Sequence, residues 1–247
     1  MIDTHAHLDA LDDPAAAVAR ARERGVTRIL TVGTTVGSCQ AALGLAERHP
    51  GVFAILGLHP HEAGSVEDGA VRKVCSLLGH RRAVAVGETG LDYFRDYAPR
   101  DAQRRLFERL LAVATDTGKP AVIHSRAAAD DTVAALAGFA GTVVLHCFSS
   151  PALLPLALER EYYVSFAGNV TFPNASELRL AATQVPSERI LAETDSPYLA
   201  PQPVRGRPNE PAHVMHTLAV LAQARGVDAV ALEAQIEANA AAAFGLT

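Results

Sequence analysis

The sequence predicts an α/β fold, namely a single (β/α)8 TIM barrel with extra helices at the carboxyl-terminal end. Three observations lead to this prediction. Short apolar segments rich in β-forming residues alternate with amphipathic segments rich in alanine, leucine and arginine, eight such pairs can be counted, and together they fill 247 residues. This alternation is typical of βαβ units around a parallel sheet, and eight units in about 250 residues is the usual size of a barrel.

The predicted strands are short apolar runs, each followed by a helical pattern. They lie near Met1–His5, Arg28–Gly33, Val52–Leu58, Ala83–Glu88, Ala121–His124, Thr142–His146, Tyr162–Ala167 and Ile190–Thr194. No linker or change in composition divides the chain, so residues 1–247 are predicted to form one domain. An open doubly wound sheet is the alternative. The first strand–helix turn has no GxGxxG or GxxxxGK[ST] pattern, which counts against its dinucleotide-binding and P-loop versions.

Capping residues, prolines and glycines mark the helices between the strands. Asp13 is a capping residue and Pro14 occupies the first helical position, so a helix is predicted to begin there. Arg100–Thr117 has the apolar spacing of a long helix, and Gly118 follows it as a helix end. Pro211 is predicted to open the closing pair of helices.

Composition and charge limit the kinds of partner. Hydrophobic residues make up 49% of the chain, which supplies a sizeable core. A net charge of -5 disfavours broad electrostatic binding of duplex DNA, so any contact with nucleic acid should be local. The three cysteines form no CxxC pair, and neither a signal-peptide pattern nor a membrane-length apolar run is present. We therefore expect a cytoplasmic protein without a membrane partner, for which a monomer is plausible.

Ligand-type side chains fall at or near the ends of the predicted strands. The carboxyl ends of barrel strands converge on one face, which is where active sites of such barrels lie. Residues that are far apart in sequence would then share one pocket. These residues are His5, His59, Glu88, His124, His146 and Asp195.

The segment Asp-Thr-His-Ala-His near the amino terminus indicates a metal site. Alternation along an extended segment places Asp3, His5 and His7 on one side. Two imidazoles at this spacing can bind one metal ion, and Asp3 is predicted to be a hydrogen-bond acceptor behind them. The alternative is a pair of polar histidines at a strand end.

Further candidate ligands follow later strands. Glu88 shares its face with Val84 and Val86, and a metal ion would offset the cost of burying its carboxylate. His124 and His146 follow apolar strands and suit a second ion. Mixed imidazole and carboxylate ligands are compatible with zinc, manganese or magnesium, so we expect two divalent ions. Asp195 and Glu88 are the predicted catalytic residues, with Asp195 as ligand and proton acceptor.

A further set of residues is predicted to contact the substrate. Arginines match phosphate oxygens through paired N–H groups, and tyrosine can stack on a base. The set consists of His59, His61, Arg126, Glu193, Tyr198 and Arg205. Cys147 has the opposite parity to His146, so it is predicted to face the helices as a small core residue, with a nucleophilic thiol as the alternative.

Together these motifs resemble the TatD-type metal-dependent deoxyribonucleases of the amidohydrolase-like barrel superfamily. The motifs are Asp-Thr-His-Ala-His (3–7), Gly-Leu-His-Pro-His (57–61), Gly-Glu-Thr-Gly-Leu-Asp-Tyr (87–93), His-Ser-Arg (124–126), His-Cys-Phe-Ser (146–149) and Glu-Thr-Asp-Ser-Pro-Tyr-Leu (193–199). The resemblance implies a TIM barrel with two divalent ions. It departs from the family pattern at Ala6, where cysteine is frequent, and at Ser150, where glycine is usual.

The resemblance also implies roles for the ligands. His5 and His7 would hold one ion with Asp195, His124 and His146 would hold the other, and Glu88 would bridge. The implied reaction is hydrolysis of phosphodiester bonds in DNA, chiefly from an end, and we expect single strands or 3′ ends as the substrate. Two alternatives remain open: a hydrolase of C–N or carboxylic ester bonds, such as the ester of aminoacyl-tRNA, and a non-catalytic phosphate- or nucleic-acid-binding relative.

Overall fold

The eight strands form one parallel sheet in chain order, and each strand pairs with the next. The structure is a computed structural model, and it describes residues 1–67 and 69–246. The strands are β1 Ile2–Ala6, β2 Arg28–Gly33, β3 Val52–Leu56, β4 Ala83–Asp92, β5 Ala121–Arg126, β6 Val143–Leu145, β7 Tyr163–Phe166 and β8 Ile190–Ala192. The predicted (β/α)8 barrel is thereby confirmed.

Helices connect the strands and surround the sheet. They are α1 Pro14–Glu23, α2 Val36–Arg48, α3 Ala70–Leu78, α4 Arg100–Thr117, α5 Ala129–Leu136, α6 Leu154–Glu159, α7 Ser176–Gln184, α8 Val214–Arg225 and α9 Ala229–Phe244. The capping prediction for α1 is confirmed, because the Asp13 carboxylate accepts a hydrogen bond of 2.9 Å from the Ala16 N–H. Helices α8 and α9 both follow β8 and are the predicted extra pair.

Apolar side chains fill the layer between the sheet and the helices. Phe107 and Leu110 of α4, Ile55 of β3 and Phe166 of β7 are fully buried there. Excluding this apolar surface from water supplies the main stabilisation of the barrel and keeps the strand ends in fixed positions. Among the described helices, none is both long enough and apolar enough to span a membrane.

Strand β4 is longer than the sequence predicts. We expected it to end at Glu88, but it continues to Asp92 because its ladder with β5 resumes after an irregularity. The register shifts between Val86 and Thr89, and Leu91 and Asp92 then pair with the last residues of β5. Glu88 therefore lies inside a strand, and the next four residues are also held in the sheet.

The seam between β1 and β8 closes the barrel beside the strand ends. The Asp195 N–H donates to the His5 carbonyl at 2.9 Å, and the His7 N–H donates to the Ser196 carbonyl at 2.7 Å. The Asp3 carboxylate accepts hydrogen bonds from the Thr194 N–H at 2.9 Å and from its hydroxyl at 2.5 Å. The prediction that Asp3 is an acceptor for the imidazoles is wrong, because its carboxylate binds the backbone and side chain of Thr194, just after β8, instead.

We predict that Gly90→Ala destabilises the barrel far more than Gly25→Ala. Both glycines have positive φ, +135° and +83°, but only Gly90 is crowded: a methyl group there would lie 2.0 Å from the His124 carbonyl oxygen. Gly25→Ala should cost about 1–2 kcal/mol for the left-handed backbone alone, and Gly90→Ala about 3 kcal/mol or more, because the strand must also move. Urea denaturation measures both free energies of unfolding. Equal losses would show that β4 and β5 do not approach as closely as described.

Candidate metal centre

The carboxyl ends of the strands surround one cavity of about 830 Å³. Most of the predicted site residues line it, although they come from seven different parts of the chain. Those that line the cavity are His7, His59, His61, Glu88, His124, Arg126, His146, Asp195, Tyr198 and Arg205. The structure therefore brings together the residues that the strand-end pattern selected, with His5 directly beneath them and fully buried.

Glu88 lies at the centre of the cluster, and its side chain is only 4% exposed. One carboxylate oxygen, Oε2, lies 3.4 Å from His5 Nε2 and 3.7 Å from His7 Nε2. The other oxygen, Oε1, lies 2.8 Å from His124 Nδ1 and 2.8 Å from His146 Nε2. Each oxygen therefore faces a different set of imidazoles, and a carboxylate placed in this way could be shared between two ions.

Asp195 completes the group on the β1 side. Its Oδ1 lies 3.4 Å from His7 Nε2 and 3.9 Å from His5 Nε2. The residue follows β8 and has a left-handed backbone with φ of 54°. Its N–H is bonded to the His5 carbonyl across the seam, so the seam fixes the position of this carboxylate relative to both histidines.

The donor set fits a metal ion. His5 is fully buried, and neither of its ring nitrogens has a hydrogen-bond partner among the described residues. A buried imidazole without partners is costly, and coordination of an ion by one nitrogen removes part of that cost. Three groups of residues could each hold an ion, because the potential ligand atoms within a group all lie within 4.8 Å of one another. The groups are His5, His7 and Glu88; His5, His146 and Asp195; and His59, Glu88 and His124.

Carboxylates hold the outer nitrogens of two histidines. His146 Nδ1 donates to Glu193 Oε1 at 3.2 Å, and His124 Nε2 donates to Asp92 Oδ2 at 3.1 Å. These bonds fix each ring with its other nitrogen directed at Glu88, as is usual for histidine ligands of metals. Glu193 is fully buried and does not line the cavity. The sequence predicts for Glu193 either a substrate contact or a position one layer deeper than the ligands, and its place behind His146, away from the opening, matches the second.

Asp92 is a site residue that the sequence analysis missed. Its carboxylate accepts hydrogen bonds from His124, from His61 Nε2 at 3.0 Å and from the Phe94 and Arg95 N–H groups. Burial alone would raise the pKa of Asp92, but its hydrogen bonds, chiefly the one from His124, keep the pKa below its usual value. The sequence contains a hint of this role. Asp92 is four residues after Glu88, so in a strand that continues to Asp92 both side chains are expected on the same face.

His59 lies closer to the carboxylates than a substrate contact requires. Its Nε2 is 3.3 Å from Glu88 Oε1, and it belongs to one of the three potential ligand groups. Burial lowers the pKa of His59 to about 4, so the ring is neutral near pH 7 and its nitrogens can act as ligands. His61 is more exposed, and its ring packs against Tyr97 at 4.7 Å.

Charge is strongly coupled across the cluster. Burial alone would raise the pKa of Glu88, but neighbouring imidazoles, first His146 and then His59, hold it well below its usual value. Burial alone would lower the pKa of His146, but Glu88 and Glu193 raise it well above its usual value. Glu88 is therefore ionised at neutral pH, and its negative charge is balanced by protonated imidazoles. A divalent ion could supply this positive charge in their place.

Cys147 lines the cavity, which contradicts the prediction that it faces the helices. Its φ of 45° shows that the backbone turns out of the strand directly after His146, so alternation no longer applies. Burial, followed by the nearby Asp195 and Glu193 carboxylates, raises the pKa of the Cys147 thiol well above its usual value. A protonated thiol is a poor nucleophile.

The rim of the cavity carries arginine and aromatic side chains. Arg126 lies over the Phe94 ring with its guanidinium carbon 4.0 Å from the ring centre, and Arg205 lies over the Phe172 ring at 4.1 Å. Tyr198 is 57% exposed beside the opening. These positions keep Arg126, Arg205 and Tyr198 available to a ligand that enters the cavity.

The fold and this cluster define a class, the barrel hydrolases that depend on metal ions. The family described as TatD related DNase matches residues 2–245, which is nearly the whole length. The chain belongs to the TatD family, and the resemblance noted in the sequence is confirmed.

Individual relatives agree with this assignment. A metal-dependent hydrolase called TatD from Mycobacterium tuberculosis is 38% identical over 100% of this chain and 98% of its own length. A protein called 3′-5′ ssDNA/RNA exonuclease TatD from Klebsiella pneumoniae is 35% identical over 93% of this chain and 90% of its own length. The crystal structure of YJJV, a TatD homologue from Escherichia coli K12, superposes with a TM-score of 0.94 at 30% identity, covering 100% and 98% of the two chains.

We predict that a divalent ion raises the melting temperature through His5. A ligand at about 100 times its dissociation constant stabilises by about 2.7 kcal/mol, which in a chain of this size corresponds to roughly 5–10 °C. His5→Ala should lose most of this increase because it removes a ligand at the base of the cluster. His80→Ala is the matched control, since His80 pairs with Glu47 at the surface, away from the cavity. Equal increases for both variants, measured by calorimetry with and without Mn²⁺, would contradict the assigned site.

Proposed function

We propose that this chain is a two-metal phosphodiesterase that shortens single-stranded DNA from the 3′ end. The observation that carries the proposal is the position of Glu88, which presents one carboxylate oxygen to His5 and His7 and the other to His124 and His146. Two neighbouring divalent ions are the usual basis of phosphodiester hydrolysis by metalloenzymes.

In this proposal each ion has its own set of ligands. His5, His7 and Asp195 would hold one ion, and His124 and His146 would hold the other, with Glu88 common to both. Imidazole and carboxylate donors are compatible with zinc, manganese or magnesium. When bound, the ions would activate water and neutralise charge on the phosphate oxygens.

Asp195 is the group of this chain that would accept the proton from water. The carboxylate is near the opening of the cavity, where a substrate phosphate can approach. Burial alone would raise the pKa of Asp195, but the hydrogen bond from His7 keeps it below its usual value. The group is therefore ionised at neutral pH and can act as a base.

Three features support a single-stranded nucleic acid as the substrate. The relative from Klebsiella pneumoniae carries the name 3′-5′ ssDNA/RNA exonuclease, and it aligns with 93% of this chain. Arg126 and Arg205 at the rim supply local positive charge on a chain with a net charge of -5, which suits a flexible end better than a duplex. Tyr198 provides an exposed ring on which a base can stack.

Amide or ester hydrolysis is the alternative function. Many barrels with such activities hold a carboxylated lysine between their metals, and the described part of this chain offers no lysine at that place. Lys119 precedes β5, and its amine donates to the Ala83 carbonyl at the amino-terminal end of β4, opposite the cavity. Lys73 is exposed and pairs with Glu67. Neither lysine reaches the cluster, so Glu88 is the group that remains to bridge two ions.

We predict that Asp195→Asn and Cys147→Ala have opposite outcomes. Asp195→Asn removes a ligand and the proton acceptor, so kcat for a labelled oligonucleotide should fall by roughly 10²–10⁴-fold. Cys147→Ala removes a protonated thiol that the reaction does not use, so kcat should change little. Steady-state kinetics in Mn²⁺ measures kcat for both variants. Loss of activity in a folded Cys147→Ala protein would mean that a thiol carries the reaction.

We also predict that linear single-stranded DNA is degraded and circular single-stranded DNA is not. The concave mouth admits a strand end more readily than a continuous chain. Both substrates are incubated at equal phosphate and metal concentration, and 5′- and 3′-labelled linear strands report which end is shortened. An RNA strand of the same sequence tests whether the sugar matters. Equal rates for circle and linear strand would rule out an exonuclease and leave a metal-dependent phosphodiesterase.

A further inference from the structure

Two arginines at the rim are each held over a phenylalanine ring. Arg126, the last residue of β5, lies over Phe94, which follows β4. Arg205, in the segment after β8, lies over Phe172, which follows β7. Both arginines line the cavity. Each arginine therefore depends on an aromatic ring from the loop after the preceding strand.

These guanidinium groups have no other assigned partner. Within residues 1–67 and 69–246, neither side chain makes an ion pair or a hydrogen bond, whereas Arg104 at the surface binds Asp131 at 2.9 Å. Stacking on a ring restricts the position of a guanidinium but leaves its N–H donors available. A pair of guanidinium groups with free donors at the edge of this cavity is suited to phosphate oxygens.

Packing in the core does not account for Phe94. Its side chain is 61% exposed, and its ring contacts arginines at the mouth of the cavity. A second arginine, Arg95, also lies 5.9 Å from the same ring and lines the cavity. The ring is therefore a contact for cations at the mouth and not a part of the core.

The two pairs lie on different sides of the opening. One belongs to the loops after β4 and β5, and the other to those after β7 and β8, three strands farther around the barrel. Glu88 and its imidazoles lie in the same cavity. A ligand that uses both pairs must extend across the mouth and carry anionic groups at more than one point, as a polynucleotide strand does.

We propose that the Phe94–Arg126 and Phe172–Arg205 pairs are two phosphate-binding subsites that contact different phosphates of one strand. This inference rests on the proposed nucleic-acid substrate and adds to it a length requirement. Phe94 and Phe172 are positioning residues, because each acts through the arginine above it. A dinucleotide with one phosphodiester engages at most one pair, and a longer strand engages both.

The test is binding of a single strand by the metal-loaded protein. A fluorescein-labelled oligothymidylate of about eight nucleotides, with phosphorothioate linkages to resist cleavage, is titrated and followed by anisotropy. Phe94→Leu and Phe172→Leu should each weaken binding by about two- to fivefold, the expected contribution of an exposed cation–π contact. The two effects should add in the double variant because the pairs are separate. Phe94→Tyr keeps a ring and should restore affinity.

Salt dependence and a matched control separate the subsites from a general loss of structure. Arg126→Ala and Arg205→Ala should each reduce the slope of log affinity against log salt by about 0.7. Phe53→Leu removes the same kind of contact, with Arg82 over the ring at 5.1 Å, but at the amino-terminal end of β3. It should leave affinity and slope unchanged.

Substrate length decides whether two phosphates are used. Thymidylyl-thymidine, with one phosphodiester, should lose affinity in at most one of the two phenylalanine variants. If the dinucleotide lost affinity in both variants by the same factor as the longer strand, the inference would be overturned. It would also be overturned if Phe94→Leu and Phe172→Leu bound the longer strand as tightly as the wild type, or if they lost no more affinity than the control Phe53→Leu. Binding that follows the expected pattern, together with no hydrolysis of an unmodified strand of the same sequence, would uphold the subsites and refute the proposed phosphodiesterase. Failure of the wild-type protein to bind the strand would refute the subsites.

Discussion

The ionised carboxylate of Glu88, buried among imidazoles, is the constraint on which the site depends. A carboxylate that is 4% exposed is stable only if surrounding groups compensate its charge. His124 and His146 do so at 2.8 Å from one oxygen, and they are oriented in turn by Asp92 and Glu193. Each of these imidazoles lies between two carboxylates. Removing Asp92 or Glu193 would therefore disturb the orientation of the imidazole that it holds against Glu88. Metal binding is consistent with this design, since an ion supplies the positive charge that the imidazoles otherwise provide.

The closure of the barrel places the other half of the site. His5 and Asp195 are far apart in sequence, yet the Asp195 N–H binds the His5 carbonyl directly. Asp3 and Thr194 join the same two strands through a buried carboxylate and hydroxyl. The bonds that close the sheet thus also set the separation of two ligand groups. Stability of the barrel and geometry of the site are coupled here, so a change at the seam should affect both together.

Prediction from sequence succeeds where strand geometry alone decides the outcome. All eight strands, and the close proximity of His5, Glu88 and His146, follow from apolar runs and the convergence of strand ends. It fails where the chain leaves regular geometry or where a strand continues unexpectedly. Asp92 was missed because pairing with β5 resumes after a register shift. Cys147 was placed on the wrong side because its positive φ turns the backbone, and alternation applies only within a strand.

The centre of the site is buried in the barrel, whereas the rim is exposed on its connecting segments. Family membership is therefore a better guide to the type of reaction than to the substrate. The residues of the central cluster are buried on the strands or directly after them, so their arrangement follows from the barrel itself. Apart from Arg126 at the end of β5, the rim groups lie on connecting segments, where Arg205 contacts a single ring, Phe172. Loops tolerate change far better than strands. A barrel can therefore retain its central cluster while a few aromatic and arginine substitutions alter the charge and shape that an entering ligand meets, so the choice of substrate depends on the rim more than on the centre.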